Sequence, residues 1–195
     1  MKKLSYYFSD FIIGVLTLNY YFIRKVIMKE IPNINAVRVL DFGCGTGVLT
    51  NMFCKNKYIG FDFDAEAISF ASEKRSGYRF KVGDATSFRT SRRFDLVLIV
   101  GVLHHLDDLE VKRAALVINR LLATNGKALI IEATHSLKKC NLIGNVLRRL
   151  DKGSNIRYVE EYSKLLSNDL NVNKKYRLKG GVLDYAVLVA SNKHN

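Results

Sequence analysis

The sequence has little of what marks a secreted, metal-bound or membrane-spanning chain. Its three cysteines, Cys44, Cys54 and Cys140, are scattered, with no C-x-x-C pair and no histidine at ligand spacing. This argues against a zinc site and a disulfide framework; no metal is expected, and the setting is read as cytoplasmic. The apolar stretch 11–23 is shorter than the roughly 20 residues of a membrane span. It contains Asn19, follows Asp10 and lacks a small-residue cleavage site, so it is not read as a signal peptide. Repeats, low-complexity tracts and long linkers are missing as well. A chain of 195 residues is then expected to form one α/β domain.

Charge of one sign is abundant. Thirty-one Lys and Arg stand against 18 Asp and Glu, a formal net charge of +13. Twelve basic and five acidic residues fall in 136–195, so about half of the excess lies in the last third. Such a balance favours anionic partners: a phosphorylated or carboxylated small molecule, a lipid surface or RNA. It also fits a solvated basic surface with no partner at all.

At the start of the chain, Phe8, Phe11, Ile12, Val15, Leu16, Asn19, Phe22, Ile23, Val26 and Ile27 recur at helical spacing. Residues 1–34 are therefore read as an amphipathic helix that packs on or caps the domain, with peripheral membrane contact as an alternative. Residues 35–195 form the domain proper. Strand signals at 37–41, 58–63, 80–82, 94–100 and 128–131 alternate with helix signals at 48–55, 65–75 and 107–122. That rhythm predicts a parallel sheet with helices on both faces. Helices are expected again at 136–150 and 159–166. Segments 172–178 and 185–190, around Gly180-Gly181, read as a closing antiparallel pair.

The strongest local feature is Val39-Leu40-Asp41-Phe42-Gly43-Cys44-Gly45-Thr46-Gly47. Alternating glycines after a strand let backbone approach a ligand where side chains would collide, and a helix start there would aim amides at it. A dinucleotide fingerprint places its third glycine one residue later, where this chain has Val48. The carboxylate of Asp41 suits a cationic ligand better than a pyrophosphate.

This motif resembles the first motif of class I S-adenosylmethionine-dependent methyltransferases, small-molecule branch, and later segments are similar in order. The resemblance implies a Rossmann-like, seven-stranded, mostly parallel sheet with a C-terminal antiparallel strand pair. It implies S-adenosylmethionine as cofactor, held by Asp41, Phe42, Gly43, Cys44, Gly45 and Gly47. Tyr58-Ile59-Gly60-Phe61-Asp62 resembles the family's second strand, placing Asp62 at the ribose and Phe63 against adenine. Gly83-Asp84-Ala85 resembles the adenine-contacting segment, and Val100 ends the fourth strand beside the cofactor. Asp95 is read as orienting a strand start. Thr124-Asn125-Gly126 stands where the family usually has a Pro-Gly-Gly-like turn, and Asn and Gly tolerate the positive φ such a turn needs.

His104 and His105 follow the fourth strand, at the sheet edge where α/β folds bind ligands, and are candidate bases. Each also fits a purely loop-shaping role. The segment 150–162 resembles one that walls the acceptor pocket in bacterial small-molecule methyltransferases, making Arg157 and Tyr158 candidate substrate contacts. No Asn/Asp-Pro-Pro-Tyr/Phe clamp follows the fourth strand, where Val100-Gly101-Val102-Leu103 stands, and paired catalytic cysteines are missing. Both absences favour a small-molecule acceptor over a nucleic-acid base. RNA or protein as acceptor, and a non-catalytic cofactor-binding module, are the alternative readings.

Overall fold

The computed structural model describes residues 20–135, 155–180 and 183–193. Helix α1, Tyr21–Glu30, follows Tyr20 at the start of the described chain, and residues 1–19 and the helix expected at 136–150 lie outside it. The described part of α1 does not continue a helix through Tyr20, whose backbone is left-handed at φ 59° and ψ 26°. Ile23, Val26 and Ile27, one stripe of α1, are buried against the sheet.

Strands β1 (Val39–Phe42), β2 (Tyr58–Asp62), β3 (Arg79–Val82), β4 (Phe94–Val100) and β5 (Leu122–Ala133) are parallel. Strands β6 (Leu170–Gly180) and β7 (Leu183–Asn192) pair antiparallel, and β7 closes antiparallel on β5. The order is β3-β2-β1-β4-β5-β7-β6, the seven-stranded Rossmann-like sheet that was expected. Helices α2 (Ala65–Lys74), α3 (Asp108–Leu121) and α4 (Val159–Leu166) complete the described elements. The chain winds outward from β1 to β3 and then returns to β4, so β1 and β4 flank the reversal. Ligands of open α/β sheets bind at the carboxyl ends of strands at such a point.

Side chains alternate between two apolar clusters, as a strand's period of two requires. Leu40, Phe42, Val97, Ile99, Ala128 and Ile130 face α3 and α4, whereas Val39, Leu96, Leu98, Leu129 and Ile131 face α1. Both faces are covered, which explains why β4 reads as an apolar run from Leu96 to Val100. Asp95 does orient the start of β4: it accepts from Arg38 N at 2.8 Å and from the Arg38 guanidinium at 2.8 and 3.0 Å.

Two local expectations are corrected. No α-helix forms at 48–55. The chain instead makes i→i+3 turns, with Thr50 N on Gly47 O and Met52 N on Leu49 O, and short 3-10 segments at Thr50–Met52 and Lys55–Lys57. Gly47 at φ +71° breaks any helix entering from the turn, and Thr50 Oγ1 donates to Gly47 O at 2.8 Å, competing with the ladder. The segment Thr124-Asn125-Gly126 is likewise no positive-φ turn. It lies within β5 as a register shift against β4. Gly126 is needed for close approach: a Cβ there would come within 2.7 Å of Phe94 O and 2.8 Å of Ala123 N.

Candidate active site

A cavity of about 340 Å³ opens at the carboxyl end of β1, at the winding reversal. Of the residues expected at the cofactor, Asp41, Gly43, Cys44, Gly45, Asp62, Phe63 and Val100 line it. Phe42, Gly47, Asp84 and Ala85 do not. Phe42 is fully buried in the core, Ala85 packs against that core, and Gly47 shapes the turn from behind. The Asp84 carboxylate accepts from Thr86 N and Thr86 Oγ1, both at 2.6 Å, and these bonds hold it below the ordinary carboxylate range.

The turn is rigid for stated reasons. Gly43 N and Cys44 N both donate to Phe61 O, tying the turn to β2. Gly45, at φ +50°, has no atom within 4 Å of where its Cβ would stand, so the glycine leaves open space along the cavity wall. Asp62 Oδ2 accepts from Gly45 N at 2.8 Å and Oδ1 from Asp64 N at 3.0 Å. A carboxylate has about four acceptor positions, so lone pairs remain for ligand hydroxyls.

Asp41 is buried, and Tyr58 Oη donates to its Oδ2 at 2.7 Å. Burial is the largest influence on it and pushes its pKa up to about 7; the Tyr58 bond opposes this and the charge of Asp62 reinforces it. Among the described residues the lining contains Asp41, Asp62 and Asp64 and no Lys or Arg. In a chain of net charge +13 this is a local reversal of sign. It fits a cationic ligand and opposes a pyrophosphate.

Tyr20, at the start of the helix read as packing on or capping the domain, lines the cavity from its left-handed position, a contact that no motif marked. Non-glycine residues hold such a conformation where surroundings impose it. Four residues on, Arg24 donates from Nη2 to Val48 O and from Nη1 to Asn51 Oδ1, both at 2.8 Å. The guanidinium thus staples α1 to the segment that follows the glycine turn.

The loop after β4 is held from two sides. Glu132, fully buried at the end of β5, accepts from Val102 N and Leu103 N at 2.9 Å, His104 N at 3.3 Å and His104 Nδ1 at 2.7 Å. Four donors converge on one carboxylate. From the other side, Arg157 donates to Leu103 O, Leu106 O and Asn155 O and twice to Asp108 Oδ1. Arg157 is buried, and its donors are engaged in fastening this loop to α3, so it is no pocket-wall contact as expected. His104 is buried with its ring on Glu132, while His105 is exposed with its ring 4.1 Å from that of His104. Neither histidine lines the cofactor cavity. Tyr158 is exposed, and its ring lies 4.8 Å from that of His135, at the carboxyl end of β5. Glu132 and His135 carried no sequence signal, since a lone acid or histidine at a strand end has no motif around it.

A glycine turn, an acid-lined cavity and the 3-2-1-4-5-7-6 sheet define an α/β domain that binds a cationic, nucleoside-like cofactor. Residues 39–126 match the family model described as a methyltransferase domain. An uncharacterized methyltransferase of Bacillus cytotoxicus is 32% identical over 104 residues, covering 52% of this chain and 49% of that protein. A TehB-like SAM-dependent methyltransferase from Corynebacterium glutamicum superposes with TM-score 0.64 at 18% identity, covering 92% of this chain and 100% of the other. The N-methyltransferase NodS from Bradyrhizobium japonicum, solved with S-adenosyl-L-homocysteine, gives TM-score 0.61 at 21% identity over 82% and 80%. The chain is similar over residues 39–126 to the methyltransferase-domain family and has the fold of solved S-adenosylmethionine-dependent methyltransferases. It spans about half the length of the curated relatives it matches. The cofactor of that class fits the residues present, because Gly45 leaves room along the wall and the only charges in the lining among the described residues are carboxylates.

Proposed function

We propose that this protein moves the methyl group of S-adenosylmethionine to a small-molecule acceptor, anionic or lipid-linked. The carrying observation for the cofactor is the cavity at the β1 turn, lined among the described residues by Asp41, Asp62 and Asp64 and no cationic side chain. The cofactor supplies an already activated methyl group. The protein's part is to align it with the acceptor and exclude water, and alignment alone is worth roughly 7–11 kcal/mol of barrier. Asp41 and Asp62 would hold the cationic and ribose ends, and Phe63, 79% exposed at the cavity mouth, would cover the base.

Support for a small acceptor comes from the loop after β4. It carries no base-gripping clamp, and Glu132 and Arg157 hold it closed rather than leaving it to grip an extruded base. The basic excess of the chain suits an anionic acceptor. An acceptor hydroxyl or amine must shed a proton as its new bond to carbon forms, and His105, exposed beside this loop, is the proposed base.

Calorimetry with S-adenosylmethionine, followed by transfer of radiolabelled methyl to fractionated extract, tests the reading. Binding and label in the small-molecule or lipid fraction support it. Label in RNA or protein would replace the acceptor class, and binding without transfer to any fraction would leave a cofactor-binding module. Normal turnover of His105→Ala on the true acceptor would remove the base.

A further inference from the structure

Two adjoining cavities open at the opposite edge of the sheet from the cofactor turn, beside the start of β4. One, of about 280 Å³, is bordered by Thr86, Ser87 and Arg89. The other, of about 260 Å³, is bordered by Asn119, Thr124 and Asn192. Arg93, immediately before β4, and Arg120, in the last turn of α3, border both. Among the described residues neither lining contains a carboxylate. The nearest acids along the chain are Asp84, bonded by Thr86, and Asp95, paired with Arg38.

Elsewhere five described arginines are tied down, while Arg75, Arg92 and Arg113 make no side-chain hydrogen bond or ion pair among the described residues. Arg38, Arg157 and Arg177 close on Asp95, Asp108 and Asp184, while Arg24 and Arg79 donate to amide and carbonyl oxygens. The side chains of Arg89, Arg93 and Arg120 make no hydrogen bond or ion pair among the described residues. A cation in the last turn of a helix is favoured by the helix dipole. That accounts for Arg120; Arg89 and Arg93, exposed like it, bring two more guanidiniums to the same hydroxyl-lined hollows. An irregularity lies in the same place. Asn192 donates from Nδ2 to Leu122 O and Ala123 O, but its buried Oδ1 has no partner. A buried carbonyl without a donor is uncommon.

We propose that these cavities form a second ligand site, for a small molecule bearing a diphosphate. Arg93 and Arg120, shared by both hollows, would bridge its phosphoryl groups, since planar guanidinium forks match such oxygens. Arg89 would bind from the rim. Asn192 Oδ1 would accept from a ligand hydroxyl. The site lies across the sheet from the Gly43–Gly47 turn, so its occupant is not the methyl acceptor.

Titration calorimetry of the full chain with inorganic pyrophosphate, with ADP, and with sulfate at matched ionic strength tests this. One-to-one saturable binding of pyrophosphate or ADP is expected, weakened at least 30-fold by Arg93→Gln combined with Arg120→Gln. Arg113→Gln, on the exposed side of α3, should leave it unchanged, and S-adenosylmethionine binding by the double variant should report an intact fold. Tighter binding of ADP identifies a nucleotide as occupant; tighter binding of pyrophosphate identifies the free diphosphate. Absence of saturable binding to either ligand, equal binding by the double variant, or equal displacement by sulfate would each overturn the proposal.

Discussion

Glu132 Oε2 lies 2.7 Å from His104 Nδ1, with both side chains shut away from solvent. Three consecutive backbone amides, from Val102 to His104, point at the same carboxylate. An ionised carboxylate can only accept, so the proton of this contact belongs to Nδ1 of the imidazole. The loop that follows β4, the part of the chain nearest the expected acceptor, takes its shape from this one acid.

Replacing Glu132 by Gln keeps the volume but puts an amide donor among donors. Leaving buried donors unmatched costs about 3 kcal/mol or more. For a chain of this size that is a fall in Tm of roughly 6–12 °C. Differential scanning calorimetry of Glu132→Gln checks it, and a fall below 2 °C would show that the clamp is energetically idle.

Asp41 predicts a pH dependence of cofactor binding. Its carboxyl, ordinarily near 3.8, is pushed up to about 7 by burial. A cationic ligand needs the ionised form, so affinity should strengthen as pH rises through 7, by about tenfold between pH 6 and pH 8. The effect on stability has the opposite sign. Between about pH 4 and 7 the folded protein keeps a proton that the unfolded chain has released, so without ligand its stability declines as pH rises through that window. Asp41→Asn should flatten both profiles. Calorimetric affinities at pH 6, 7 and 8 for the two proteins decide it, and parallel profiles would assign the dependence to another group.

Arg157 predicts a stability defect rather than a loss of substrate affinity. It is buried, and its bonds join Leu103 O, Leu106 O and Asn155 O to Asp108. Arg157→Lys cannot span these acceptors with a single ammonium. It should lower stability by about 2–4 kcal/mol while the KM for the acceptor stays within a factor of two at temperatures where the protein is folded. A raised KM with unchanged stability would return Arg157 to the pocket wall.

Much of the fold is legible in the residues themselves. The strand signal at 94–100 is β4 end to end, and Asp107 and Glu110 form the capping box that starts α3. The helix expected at 48–55 fails because Gly47 and Thr50 impose tighter turns, a competition that periodicity does not register. Asp84 has the right spacing for a ligand acid but does not line the cavity, and its Oδ1 is bonded by Thr86, two residues on. Arg157 stood among resembling residues, but its surroundings come from segments some fifty positions away.

The glycine turn, Asp41, Asp62 and the strand-helix rhythm were determined by the sequence alone, because each depends on local backbone freedom or on periodicity. Tertiary structure decided the rest. Only folding sets Tyr20 over the cavity, brings Glu132 under the amides of the β4 loop, and gathers Arg89, Arg93 and Arg120 around two hollows. These arrangements join residues far apart in the chain, and burial and charge act through space, where no spacing rule records them.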